Sequence, residues 1–241
     1  MDIERAYAKL TLALRIVGVR DDGYHELDAE MVTVDLADEL RFSDGDALRV
    51  SDVSGGAEPV TAGADNLVSR ALRAVGRTAS VELVKRIPAG GGLGGGSADA
   101  AAVLRWAGRG DDLVLAASLG ADVPFCVRGG RARVRGVGEV VEALPCTPGE
   151  VYTLVTPPVH VSTVAVYRAW DALGGPSGGT NDLEPAALHV APVLADWRDS
   201  LGAATGEVPS LAGSGSTWFV PGAFPQVPGA VVVRTVCPPP T

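Results

Sequence analysis

Six glycines fill the seven positions from Gly90 to Gly96, interrupted only by Leu93. Pro88 and Ala89 lead into this run, and Ser97 follows it. A predicted strand, Ser80 to Arg86, enters the segment, and an Ala-rich predicted helix, Ser97 to Trp106, leaves it. Backbone without side chains lets amide groups approach an anion closely. A helix start adds free N–H donors and a favourable dipole. The chemistry this predicts is phosphate binding by the backbone, since a packing turn needs far fewer glycines. The pattern GxGxxG is formally met at Gly90, Gly92 and Gly95, but so dense a tract meets it by chance. The dinucleotide reading also asks for an acidic residue about 20 positions on, at a strand end. Asp111 and Asp112 are in range but stand at a predicted helix start. A Walker A loop is excluded, because no Lys-Ser or Lys-Thr follows the glycines.

Reacting groups must come from elsewhere in the chain. There are two lysines, Lys9 and Lys85, beside eighteen arginines. Arg is a poor replacement for a compact ammonium point charge, so lysine chemistry has two candidates. Asp122 follows Gly120-Ala121 and precedes Pro124, a held position suited to taking a proton from a hydroxyl. An ammonium beside it would hold the carboxylate ionised and steady an alkoxide-like oxygen. Lys9 can supply that charge, whereas Lys85, just ahead of the glycines, is expected at the solvent or nucleotide periphery. Tyr24 can stack on a base, and His25 can read its edge.

These groups need elements to position them. Residues 6 to 17 alternate, with Leu10, Leu12, Leu14 and Ile16 on one face and Lys9 and Thr11 on the other, the pattern of a strand with one buried face. Asp21-Asp22-Gly23 signals a turn. Strands are predicted at Glu30 to Leu36, Glu39 to Phe42 and Ala47 to Ser51, and a helix at Asn66 to Val75. Asp111 to Leu119 reads as a short helix, and Arg131 to Leu144 as strands broken at Gly136 and Gly138. Beyond a linker at Pro145 to Gly149, strands are predicted at Tyr152 to Thr156, Thr217 to Val220 and Ala230 to Val236. Helices are predicted at Val164 to Leu173 and over Pro185 to Leu201, interrupted at Pro192. Strands first and mixed elements later predict an α+β protein in two lobes, 1–148 and 149–241.

Bulk properties narrow the partners. The 241 residues are 46% hydrophobic and 20% charged, with a net charge of −9. A core of good size is available, and a general nucleic-acid surface is not expected. The N-terminus lacks a basic-then-apolar leader, and no apolar run approaches the ~20 residues of a membrane span. Cys126, Cys146 and Cys237 are an odd set without close pairing, read as free thiols of a reducing, cytoplasmic setting.

The segment Pro88 to Ala101 resembles the central ATP loop of the GHMP small-molecule kinases. Ala6-Tyr7-Ala8-Lys9-Leu10-Thr11-Leu12 resembles the first motif of that family, and Leu211-Ala212-Gly213-Ser214-Gly215-Ser216-Thr217 its third. The order is right and the motifs span the chain. Asp22-Gly23-Tyr24-His25-Glu26-Leu27, Asp65-Asn66-Leu67, Gly120 to Phe125 and Asn181-Asp182-Leu183-Glu184 resemble the branch that phosphorylates the 2-hydroxyl of a cytidine diphosphate-linked methylerythritol. The resemblance implies a ribosomal S5 domain 2-like N-terminal lobe and a shortened ferredoxin-like C-terminal lobe. It implies ATP and Mg2+ as cofactors, a small-molecule substrate, and a monomer or homodimer without nucleic acid or membrane.

By resemblance, Lys9 and Asp122 are catalytic. Pro88, Gly90, Gly91, Gly92, Leu93, Gly94, Gly95, Gly96, Ser97 and Asn66 bind the nucleotide, and no protein cage for the metal is implied. Thr11, Tyr24, His25, Thr163, Tyr167, Gly213, Ser214 and Gly215 bind the substrate, Tyr167 closing the second face of the cytosine. The chain departs from the pattern at Thr11, where Asn is usual, and at Ala98-Asp99, where Ser-Asn is common. Asp99 is expected to cap the helix, close to the phosphates. Pro221 to Gly229 stands where a helix is usual, and its three prolines preclude one. The competing readings are a homoserine or mevalonate type of kinase, a non-catalytic nucleotide-binding homologue and, more distantly, a dinucleotide oxidoreductase.

Overall fold

The structure, a computed structural model, describes residues 1–57, 59–175 and 178–237. Two long strands, β1 (Asp2–Val19) and β2 (His25–Ser43), form an antiparallel hairpin around the turn at Asp22-Gly23. The free edge of β2 is shared. Its second half pairs with β4 (Ser80–Lys85), which carries β3 (Ala47–Asp52) in parallel. Its first half pairs with β5 (Arg131–Gly136), which carries β6 (Val140–Leu144). The result is a six-stranded sheet.

Glu30–Leu36 and Glu39–Phe42, expected as two strands, are one. Asp38, a residue that usually marks a turn, stays extended because its buried carboxylate accepts from Lys85 and from the backbone N–H groups of Arg86 and Ile87. The alternation of β1 is interrupted by register shifts at Tyr7/Lys9, Thr11/Ala13 and Ile16/Gly18. Bulges of this kind re-aim side chains, and Lys9, Leu10 and Thr11 are all buried as a result.

Four helices join these strands: α1 (Leu67–Ala74), α2 (Gly95–Trp106), α3 (Leu113–Leu119) and α4 (Val123–Arg128). The first is capped by Asn66, whose side chain accepts from Val68 N–H. The third is capped by Asp112 in the same manner. Helix α2 is buried from Ala98 to Leu104, and its alanines let it sit close to Leu40, Phe42, Val81 and Leu83 of the sheet.

The second sheet is antiparallel, in the order β10 (Ala230–Arg234), β7 (Val151–Val155), β9 (Trp218–Pro221), β8 (Ser210–Leu211). Helices α5 (Thr163–Leu173), α6 (Glu184–Val190) and α7 (Leu194–Thr205) lie between β7 and β8. Residues 222–229 contain no helix. The lobes share apolar clusters. Leu14, Ile16 and Phe125 pack with Val166, Leu194 and Trp218, and Leu10, Ile87 and Leu93 pack with Leu154, Ala212 and Phe219.

After β10 the chain returns to the first lobe, where Val236 N–H bonds to Thr33 O. There Cys237 forms a disulfide with Cys146 of the linker. The expectation of three unpaired thiols is therefore corrected: residues 91 apart in sequence meet because the last strand runs back to the lobe junction. Cys126 is the free cysteine. No helix among the described residues is long and apolar enough to cross a membrane.

Candidate active site

A cleft of about 1280 Å³ runs between the lobes. The glycine run forms one wall, from Pro88 at the end of the β4 stem to Ser97 in the first turn of α2. Its conformation requires glycine in two ways. Gly90, Gly92 and Gly94 have φ of +70°, +74° and +68°, a region costly for other residues. A Cβ on Gly92 would stand 2.0 Å from Ala212 O, and one on Gly94 2.8 Å from Lys9 Cγ. The loop is thus wedged between β1 and the 211–217 turn. Lys9 N–H bonds to Leu93 O at 3.0 Å, and the N–H groups of Ser216 and Thr217 bond to Gly90 O and Gly91 O at 3.3 Å. The three stretches singled out as motifs therefore meet and brace one another.

Lys9 is 4% exposed. Its Nζ donates to Thr11 Oγ1 at 3.0 Å and stands 3.4 Å from Asp122 Oδ2. Asp122, expected at a held position ahead of Pro124, is the N-cap residue of α4, with Pro124 in the helix's first turn. Its side chain makes no cap bond, which leaves the carboxylate facing Lys9 and the cleft. Thr11, expected to touch substrate, does not line the cleft. It is 2% exposed and orients the Lys9 ammonium from behind.

The opposite end of the cleft is aromatic. His25 packs on Tyr167 with ring centroids 4.8 Å apart and the rings tilted by 40°, and meets the edge of Trp170 at 5.4 Å. Its Nε2 lies 2.7 Å from Asp171 Oδ1. Asp171, absent from the sequence reading, also lines the cleft; the only signal was its place one helical turn after Tyr167. Burial, then the Asp122 charge, pushes the Tyr167 phenol up, so it stays neutral. Tyr24 is largely exposed at the rim. Thr163 at the start of α5 and Ser214 share a hydrogen bond of 2.9 Å, closing the cleft beside Gly213 and Gly215. Asn66 lines the cleft as well, but its amide is occupied by the α1 cap and by Thr61 O.

Asn181-Asp182 has a role that sequence reasoning did not assign. Asn181 Nδ2 donates to Leu211 O and Gly213 O, and Asp182 accepts from Arg15 and from Ile16 N–H. This buried pair fastens the Gly213 turn of one lobe to β1 of the other.

Two expectations are corrected. Lys85 does not face solvent: it is 2% exposed and bonded to Asp38 and Asp99, and it borders the cleft only from behind the glycine run. Asp99 does not cap α2. It lies in the helix's second turn, turned back toward Lys85 at 2.7 Å. Burial, partly offset by Lys85 and reinforced by Asp38, raises its carboxyl to about 8.

A phosphate cradle at a helix start, an ammonium–carboxylate pair across from it and this two-lobed architecture define a small-molecule kinase of the GHMP class. The GHMP kinases N terminal domain model matches residues 66–130. Curated 4-diphosphocytidyl-2-C-methyl-D-erythritol kinases of Rhodopseudomonas palustris and Paracoccus denitrificans are 38% and 39% identical. Each alignment covers 90% of this chain, and 86% and 85% of the respective relatives. The crystal structure of a 4-(cytidine 5'-diphospho)-2C-methyl-D-erythritol kinase superposes with a TM-score of 0.76 at 31% identity, over 97% of this chain and 99% of that one. A mevalonate kinase shares the fold at a TM-score of 0.62 and 10% identity. The chain belongs to the 4-diphosphocytidyl-2-C-methyl-D-erythritol kinase family.

Proposed function

We propose that this chain transfers the γ-phosphoryl group of ATP to the 2-hydroxyl of 4-diphosphocytidyl-2-C-methyl-D-erythritol, in the non-mevalonate route to isoprenoid precursors. The observation that carries the reading is one cleft holding three parts in sequence: the glycine cradle, the Lys9–Asp122 pair and the His25–Tyr167 wall. Phosphoryl transfer asks mainly for positioning and charge stabilisation. The backbone N–H groups at the start of α2 hold the phosphates. Asp122 takes the proton of the attacking hydroxyl, while Lys9 holds that carboxylate ionised and stabilises the charge gathering on oxygen. Tyr24, His25 and Tyr167 hold the cytosine, Asp171 fixing the His25 ring. Thr163, Ser214 and their neighbours close over the linking chain.

Mg2+ suits this cleft, whose wall carries the hard oxygen donors of Ser97 and Glu139, because magnesium takes few protein ligands and keeps phosphate and water oxygens. When bound with ATP it neutralises phosphate charge. The lobes are proposed as units at 1–148 and 149–241, in a cytoplasmic enzyme.

An ADP-release assay tests the reading. Turnover is expected with the cytidylylated alcohol and ATP, and not with mevalonate or homoserine. Turnover of either of those with none of the cytidylylated alcohol would overturn it.

A further inference from the structure

The glycine loop has two stems, and a buried charge cluster ties them together. Lys85 is the last residue of β4, at the entrance, and Asp99 lies in α2, at the exit. Lys85 Nζ donates to Asp99 Oδ2 at 2.7 Å and to Asp38 Oδ2. Asp38 Oδ1 in turn accepts from Ile87 N–H at 2.8 Å and from Arg86 N–H, so the entrance stem is held through its backbone too. All three side chains are buried, at 3% exposure or less. A Cβ on Gly95 would lie 3.2 Å from Lys85 Nζ, which puts the ammonium directly behind the first turn of α2.

We propose that Asp99, through Lys85 and Asp38, is a positioning residue that clamps the two stems of the glycine loop for nucleotide binding. The inference rests on the reading of that loop as the ATP site. Stability does not account for Asp99. One ammonium balances one carboxylate, and Asp38 holds the better donors, with N–H groups on its second oxygen. Asp99 Oδ1 has no hydrogen-bond partner. A buried, incompletely bonded carboxylate is a net cost, and an alanine would suit this helix better. What Asp99 supplies is a fixed link across a loop whose glycines otherwise give it wide conformational freedom. A loop ordered before binding loses less entropy when phosphate arrives.

Asp99→Ala leaves Lys85 paired with Asp38, so it is expected to fold with a Tm equal to or above that of the wild type. Its KM for ATP should rise about tenfold, as expected when loop ordering is deferred to binding. Its KM for the cytidylylated alcohol should stay within twofold. Asp99→Asn keeps an oxygen for Lys85 and should recover most of the loss. In nucleotide-free protein, amides of Gly94 to Ser97 should exchange hydrogen faster in D99A than in the wild type. Should D99A fail to fold, Asp99→Ser, too short to reach Lys85, replaces it with the same expectations. Equal exchange in D99A and the wild type, equal rises in both KM values, or an Asp99→Asn as impaired as D99A would each overturn the clamp. A wild type that binds no ATP would overturn the functional reading instead.

Discussion

The chain has two lysines, each paired with aspartate, and they sit on opposite sides of the glycine loop. Lys9 looks into the cleft, with Asp122 at 3.4 Å and a side-chain exposure of 30% on that carboxylate. Lys85 borders the same cleft behind the loop, buried between Asp38 and Asp99. The first pair is loose, open to the cleft at one end and held by a single hydroxyl at the other. The second cluster is closed and carries one carboxylate more than its ammonium balances. A reacting proton needs a carboxylate that can be reached, whereas a scaffold needs groups that cannot leave. Exposure, not residue type, separates the two pairs.

The largest expected effect breaks the open pair. Asp122→Ala removes the proton acceptor, and kcat should fall by about 10³-fold or more, within the upper range for general bases. ATP affinity, measured by calorimetry, should persist; near-wild-type turnover would remove Asp122 from the mechanism. Lys9→Met should cost roughly 10²- to 10³-fold in kcat, the scale of losing one charge-stabilising donor. Lys9→Arg should do little better. A Cβ on Gly213 would already stand 3.3 Å from Nζ and one on Gly94 2.8 Å from Cγ, so a guanidinium has no room. Recovery of activity by arginine would show that charge alone suffices.

A smaller effect probes the support behind Lys9. Thr11→Val deletes the hydroxyl at 3.0 Å, worth about 1 kcal/mol, or a roughly fivefold loss in kcat. A change in KM for the alcohol with kcat intact would return Thr11 to substrate contact.

The closed cluster responds in stability instead. The Asp99 carboxyl is raised from 3.8 to about 8, by burial first, with Lys85 opposing and Asp38 adding to it. The folded state then binds more protons than the unfolded one between these values, so stability is full below pH 4 and declines as pH rises toward 8. Urea midpoints between pH 5 and pH 8 should fall for the wild type and fall less for Asp99→Asn. Parallel profiles would mean that Asp99 does not titrate in that window.

Most of the site could be read from the chain because its parts are local. Each motif is a short run with its own conformational need, such as glycines at positive φ or a small residue ahead of a helix. Lys9 stood out because arginine had taken nearly every other basic position. Asp171 and Asn181 were not legible as site residues, since each acts on a group far away in sequence. Asp38 sat in what looked like a strand break, and its partners lie 47 to 49 residues on.

The sequence by itself determined most of the elements, the glycine-rich loop at a helix start and the family, and it singled out Lys9 and Asp122 as the candidate acid–base pair, because these depend on local backbone preference and on side-chain chemistry. Only the tertiary structure decided that Lys9 faces Asp122 while Lys85 is held between Asp38 and Asp99, that Thr11 lies buried against the Lys9 ammonium, and that Cys146 meets Cys237. Those outcomes depend on burial and on partners distant along the chain, which local pattern does not record. Two lysines of identical chemistry came to different surroundings because bulged β1 turns one toward Asp122, while β2 and α2 enclose the other.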